Sequence, residues 1–214
     1  MLENIRVLCQ SCVRIEKEKV IYFDPFRMDR EYYDADVIFI THDHYDHFSP
    51  EDIAKVKKED TCYVLPEKMK KEAAGLGVSK EQILLVKPGE QYTVNGLSFE
   101  TVPSYNKLKP FHPKSAGWTG YLLTLGGERY YITGDTDVTK ESKEVKCDVA
   151  FLPIGGTYTM TYKEAAELAN VIRPKYVVPF HYGSIVGKKE DGEKFRQLLD
   201  SEITCEFLME QFGN

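Results

Sequence analysis

The chain has 214 residues, 42% hydrophobic and 29% charged, with a formal net charge of −6, a balance that suits one globular domain with a sizeable core. Its acidity, without any basic stripe, excludes a general nucleic-acid or anionic-membrane binder, while a small anion held by local charges stays open. The first residues lack the apolar core of a signal peptide and no run approaches a membrane span, so a cytoplasmic protein without a membrane partner is the expectation.

Three short β-type runs open the chain, Ile5–Cys9, Cys12–Glu16 and Val20–Phe23, with Glu16-Lys17-Glu18-Lys19 as a polar turn. The third ends in Asp24-Pro25, where proline, having no N–H, stops the ladder. Asp24 reads as holding a nearby loop, with reach toward a functional site as the alternative. The five cysteines are odd in number and scattered, and Cys9-x-x-Cys12 has no second pair, which points to buried or half-buried free thiols. An apolar run over 36–40 precedes a dense polar stretch, 41–47. Ser49-Pro50-Glu51-Asp52 then starts a helix to about residue 57, with a hydroxyl at the N-cap, proline in the first helical position and acids in the first turn.

A strand over 62–65, a short basic helix over 66–74 closed by Gly75 or Gly77, and a strand Ile83–Val86 follow. Asn95-Gly96 and Gly126-Gly127 each separate two β-type runs and predict hairpins. A buried strand over 148–153 leads into the loop 155–160. Thr161-x-x-Glu164 forms a capping box for a helix Tyr162–Ile172, and Tyr176–Phe180 is a strand that delivers His181. An amphipathic helix near 190–199 and a strand over 203–209 finish the chain. This order predicts two similar halves whose sheets face each other, with helices outside.

The stretch Thr41-His42-Asp43-His44-Tyr45-Asp46-His47 holds three of the five histidines. Side chains two apart in an extended segment point the same way, so His42 and His44 place two imidazoles together. Asp46 and His47 offer further ligands to a second ion. With histidine this scarce, H-x-H-x-D-H arises by composition in roughly one such chain in several thousand, so a metal site outweighs a histidine-rich surface turn. Asp135, in Gly134-Asp135-Thr136-Asp137, and His181 share the same placement at the end of an apolar strand, where open sheets put functional loops. Together His42, His44, Asp46, His47, Asp135 and His181 read as one ligand set.

That pattern resembles the signature of the metallo-β-lactamase superfamily of metal-dependent hydrolases. More narrowly, Phe23-Asp24-Pro25, the segment 155–160 and Pro179-Phe180-His181-Tyr182-Gly183 are similar to small prokaryotic hydrolases related to L-ascorbate-6-phosphate lactonase. The resemblance implies an α+β fold, a four-layer αββα sandwich forming one domain over 1–214, with two divalent ions. One ion would sit on His42, His44 and a third ligand, the other on Asp46, His47 and His181, with Asp135 bridging. The family takes its third ligand from a histidine in a loop after a strand, and here Asn106 stands at that place. Asparagine is a weak zinc ligand. His112, the remaining histidine, lies in the same loop and is expected at the site, as metal ligand or substrate contact.

Imidazole and oxygen donors without thiolate suit zinc first, with manganese or iron(II) as alternatives. Metal coordination lowers the pKa of water from about 15.7 toward about 7. The expected chemistry is a metal-activated hydroxide attacking a small ester, a lactone or phosphorylated sugar acid first, with Asp46 as the catalytic residue that the resemblance implies. Lys107, Lys109 and Lys114 form a basic cluster suited to a phosphate or carboxylate, and Gly155-Gly156-Thr157 offers backbone N–H groups to an anion. Tyr158, Tyr182 and Trp118 are candidates to line the pocket, with packing in the core as the commoner role of aromatics next to strands. The partner is then a small molecule, anionic if the lysines hold it; a homo-oligomer is compatible with the sequence. The alternatives are a phosphodiesterase acting on a phospholipid or cyclic nucleotide, and a non-catalytic metal- or ligand-binding sensor, for which the Asn106 irregularity is the argument.

Overall fold

A computed structural model describes residues 2–212. Strands β1 (Ile5–Cys9), β2 (Cys12–Glu16) and β3 (Val20–Phe23) pair antiparallel in sequence, and β4 (Ala35–Phe39) lies parallel to β3. Helix α1 (Pro50–Val56) starts on Ser49, whose hydroxyl accepts the Asp52 N–H, one of the donors a helix start leaves unpaired. Strand β5 (Lys57–Pro66) follows it directly and is longer than the apolar run alone suggested. Next come α2 (Lys70–Gly75), β6 (Ile83–Val86), the hairpin β7 (Gln91–Val94) with β8 (Leu97–Pro103), and the hairpin β9 (Thr119–Leu125) with β10 (Glu128–Ile132). Asn95 and Gly96 both have positive φ, as a two-residue turn matched to strand twist requires. The chain closes with α3 (Lys140–Lys143), β11 (Val149–Pro153), α4 (Tyr162–Ile172), β12 (Tyr176–Phe180), α5 (Asp191–Arg196), β13 (Thr204–Cys205) and β14 (Met209–Gln211).

Two seven-stranded mixed sheets result, one in the order β14-β1-β2-β3-β4-β5-β6 and the other β13-β12-β11-β10-β9-β8-β7. Alternation along the strands divides their side chains between two cores. Ile21, Phe23, Val37, Phe39 and Val64 enter the larger core between the sheets, whereas Tyr22, Ile38, Tyr63 and Leu65 face the smaller core beneath Ile53, Val56 and Ala73 of α1 and α2. Ala165, Leu168, Ala169 and Ile172 of α4 join the larger core from the far side of the second sheet. The architecture is thus the expected sandwich, with helices outside two facing sheets. Among the described residues no helix is long and apolar enough to cross a membrane.

Two elements depart from expectation. The run over 203–209 is not one strand: β13 pairs with β12 in the second sheet and β14 with β1 in the first. Glu206 N–H donates to the Val177 carbonyl and Val7 N–H to that of Leu208, so one passage of chain covers an exposed edge of each sheet. Helix α3, four residues long and closed by reciprocal Thr139–Ser142 capping bonds, is too short to show a helical period. Cys9 and Cys12 are cross-strand neighbours and both are free, buried thiols.

The site is positioned by strand direction. β1, β3 and β4 run one way in the first sheet, and β8, β10, β11 and β12 share a direction in the second. The two sheets are tied where these strands end. Tyr121 Oη donates to the Ile40 carbonyl at 2.6 Å, and Thr119 N–H to that of Thr41 at 3.3 Å. The Tyr121 ring also meets Phe39 edge-on, centroids 4.9 Å apart.

Candidate metal centre

Loops from both sheets meet around the stretch 41–47. One group of potential donors is His42, His44, His112 and Asp135, and another is Asp46, His47 and His181; within each, one donor atom per residue lies within 4.8 Å of the others. The six predicted ligands therefore come together with His112. His42 Nε2 and His44 Nδ1 are 3.1 Å apart. Asp135 Oδ2 lies 3.3 Å from His112 Nε2 and 3.2 Å from His181 Nε2, while its Oδ1 lies 3.3 Å from His47 Nε2. Asp46 Oδ2 is 3.5 Å from His181 Nε2 and 3.7 Å from His47 Nε2.

These separations are those of a coordination shell. Metal–nitrogen bonds of about 2.0–2.1 Å in a tetrahedron put donors about 3.3 Å apart. Burial makes the same point: His47 Nε2, His112 Nε2, both ring nitrogens of His181 and Asp135 Oδ1 are buried with no hydrogen-bond partner among the described residues. Orphaned polar atoms at one locus are costly unless something binds them. A cation satisfies His47 Nε2, His112 Nε2, His181 Nε2 and Asp135 Oδ1, so the residues fit one.

The surrounding groups decide which nitrogen faces inward. Asp24 Oδ1 accepts the Thr41 N–H at 2.8 Å; its Oδ2 accepts the Thr41 hydroxyl at 2.6 Å and His47 Nδ1–H at 2.7 Å. Thr41 has spent its only proton on Asp24, so at the 2.9 Å contact with His42 Nδ1 the imidazole must donate. When neutral, both rings thereby turn an unprotonated Nε2 to the site, the support that metal-binding histidines ordinarily receive. Asp24 thus holds the neighbouring loop and, through His47, also serves the centre.

Gln10 went unnoticed in the sequence. It is fully buried in the turn after β1, with φ at +52°. Its Nε2 donates to Asp46 Oδ2 at 3.2 Å, and its carbonyl accepts the His181 N–H at 2.9 Å. An uncharged amide between two cysteines carries no metal signature, so only spacing from distant residues reveals it. Two glycines allow the close approach. A Cβ on Gly134, at φ +64°, would lie 2.8 Å from Thr41 Cβ, and one on Gly155 would lie 2.4 Å from the His181 carbonyl oxygen.

Asn106 does not take the third place beside His42 and His44; His112 does. Asn106 Nδ2 donates to the Tyr158 carbonyl at 2.7 Å and lies 3.2 Å from His112 Nδ1, while its N–H bonds the His112 carbonyl. Since the Tyr158 carbonyl requires the amide nitrogen on that side, Asn106 also donates to His112 Nδ1. The His112 proton then resides on Nε2 and must leave if that atom is to bind a cation.

Charge follows this geometry. Burial opposes ionisation of Asp46, yet His181 and His47 hold its carboxyl down to about 2. Burial likewise opposes the His181 cation, but Asp135 and Asp46 raise it to about 9, and Asp135 with Asp24 raises His47 well above the ordinary imidazole value. His42 is held well below it by burial and the neighbouring His47, and His44 is lowered by burial and His112. Protons thus gather where carboxylates converge, at positions a metal ion would claim.

A cleft of about 270 Å³ opens onto the centre, lined by His44, Tyr45, Asp46, Phe111, Asp135, Tyr158, His181 and Ile185. Of the predicted substrate contacts only Tyr158 is among these. Lys109 Nζ is bound to Asp137 and to the Thr159 carbonyl, which draws it from the cleft, while Lys107 donates only its backbone N–H to Asp137 and leaves its side chain exposed outside the lining. Lys114 pairs with Glu141 at 2.8 Å. Thr157 is exposed outside the lining, and the Gly156 and Thr157 N–H groups are spent on Met160 and Gly155 carbonyls. Tyr182 is buried against Phe212, and the Trp118 ring packs on those of His42, His44 and His112 at 4.9–5.4 Å.

A family model described as the beta-lactamase superfamily domain matches residues 4–181. A UPF0173 metal-dependent hydrolase of Thermus thermophilus is 31% identical over 206 residues, covering 91% of this chain and 90% of its own. A second, from Pyrococcus abyssi, is 29% identical over 217 residues and covers 92% of each chain. The crystal structure of a protein described as a metal-dependent hydrolase from Parabacteroides distasonis superposes with a TM-score of 0.81 at 33% identity, covering 95% of this chain and 91% of that one.

Proposed function

This chain belongs to the metallo-β-lactamase superfamily, among its UPF0173 metal-dependent hydrolases, and from that premise we propose that it hydrolyses a small ester, with a lactone as the first candidate. One observation carries the reading: seven imidazole and carboxylate side chains converge at a cleft, and inward atoms of four of them, His47, His112, Asp135 and His181, have no hydrogen-bond partner among the described residues. The lactone comes from the resemblance to L-ascorbate-6-phosphate lactonase; the phosphate on that substrate finds no lysine among the described residues that line the cleft.

In this reading His42, His44 and His112 hold one divalent ion and Asp46, His47 and His181 a second, with Asp135 between them. Zinc is the first choice, and manganese or iron(II) the alternatives, because the donors are nitrogen and oxygen without thiolate. Such ions supply Lewis acidity, acidifying a bound water and polarising the bond to be broken. The chain's own groups supply orientation. Asp46 stays ionised throughout the neutral range and lines the cleft, so it accepts a hydrogen bond from the attacking water and directs it. Gln10 holds the Asp46 carboxylate from behind, and Asp24 fixes His47. The sensor alternative drew its support from Asn106 as a defective ligand, and His112 in the third place removes that support.

The test pairs metal analysis of the purified protein with turnover of p-nitrophenyl acetate, a simple lactone and bis(p-nitrophenyl) phosphate. Bound divalent metal with ester turnover that falls at least a hundredfold in Asp46→Asn is the expected result. Phosphodiester turnover alone would reassign the bond cleaved, and tight metal binding without any turnover would overturn the enzyme reading.

A further inference from the structure

We infer that the cleft selects an uncharged ester bearing an aromatic or aliphatic group, which seats between Tyr45, Phe111, Tyr158 and Ile185; this deepens, and rests on, the ester-hydrolase reading. The walls and the floor of the cleft differ sharply. Histidines and two carboxylates make the floor, and the walls are three aromatic rings and an isoleucine. Tyr45 and Phe111 remain 65% and 45% exposed, a large apolar area to leave beside a polar centre without a function. Both rings are braced. Phe111 meets Tyr158 edge-on at 4.8 Å, and Tyr45 meets buried Phe26 at 5.9 Å. Rigid aromatic walls of this kind bind at little conformational cost.

The same surface has no means of holding a charged substituent. No lysine or arginine is among the described residues lining the cleft. Lys109 and Lys114 are paired with Asp137 and Glu141, the exposed Lys107 lies outside the lining, and the Gly156 and Thr157 N–H groups already have acceptors. Arg27 lies over the Phe26 ring and bonds Ser184 Oγ, outside the lining. Bound ions would supply positive charge only at the floor, where the reacting group itself must sit. A carboxylate or phosphate on the far end of the substrate would be desolvated against rings with no cationic side chain of the lining beside it. The size of the cleft, near the low end of the about 300–1,000 Å³ usual for ligand sites, limits the substrate to a small one.

The metal-loaded protein is tested with p-nitrophenyl acetate, hexanoate, phenylacetate and hemisuccinate and with p-nitrophenyl phosphate. The expected kcat/KM for hexanoate or phenylacetate exceeds that for the hemisuccinate by at least about tenfold, the size of effect an apolar pocket gives. Phe111→Ala and Tyr158→Ala should each shrink that ratio about fivefold or more, chiefly through KM. A second measurement needs no turnover: equilibrium dialysis of the metal-free protein with 4-phenylbutyramide should show binding that both variants lose while their Tm stays near that of the parent. Preference for the hemisuccinate or the phosphate would overturn this assignment and leave the hydrolase intact. If no substrate is turned over, the hydrolase reading fails, and dialysis still decides the cleft: phenylbutyramide binding lost in both variants upholds the apolar preference, and absence of binding overturns it.

Discussion

Replacing Asp24 by asparagine probes how the fold governs the metal centre without touching a proposed ligand. The change keeps size and shape but leaves three donors facing a group that can accept on one side only. With the amide nitrogen in the Oδ1 place it confronts the Thr41 N–H; in the Oδ2 place it confronts His47 Nδ1–H. In the second case His47 must move its proton to Nε2, the atom aimed at Asp46 and Asp135. Groups behind metal-binding histidines typically contribute 10- to 100-fold in affinity, or about 1.4–2.8 kcal/mol. Losing a buried charge-assisted hydrogen bond costs the metal-free fold a further ~1.5–3 kcal/mol. Competition with a chromophoric chelator reads the first effect and denaturant unfolding of the metal-free protein the second. The weakening should fall on the ion proposed for Asp46, His47 and His181. Affinity within threefold of the parent at every site would refute the argument that Asp24 sets the His47 tautomer.

Gln10→Ala should lower both metal affinity and kcat, because it frees Asp46 Oδ2; Gln10→Glu should be worse, since it sets a second carboxylate against Asp46, and a Glu variant matching the parent would contradict this. His112→Ala should remove one equivalent of tightly bound metal, whereas Asn106→Ala, which removes the donor that keeps the His112 proton on Nε2, should leave that equivalent bound; metal analysis after gel filtration distinguishes them, and equal loss from both would put Asn106 back among the ligands. In the metal-free protein the raised His181 pKa stabilises the fold fully below its ordinary value near 6.5, and that contribution fades as pH rises through about 9. Tm should therefore fall between pH 6.5 and 9 without metal and vary less with metal bound; a rising Tm would refute the sign. Tyr121→Phe removes a buried bond to the Ile40 carbonyl and should cost about 1–3 kcal/mol in chemical unfolding, with unchanged stability as the contrary result.

What the amino-acid order determined by itself was local: strands through alternation, turns through Asn95-Gly96 and Gly126-Gly127, the α4 start through Thr161 and Glu164, and His42, His44, Asp46 and His47 through spacing within one loop. Strand ends also betrayed Asp135 and His181, because a polar ligand type after an apolar run is visible without knowing its neighbours. Only the tertiary structure decided matters that depend on residues meeting across the two sheets. It set His112 rather than Asn106 beside the histidine pair, put Gln10 behind Asp46, turned Lys109 toward Asp137, and divided the last run between two sheet edges. The physical reason is that periodicity, caps and turns act over a few residues, whereas which of several equivalent donors or charges finds a partner depends on distances between segments far apart in the chain.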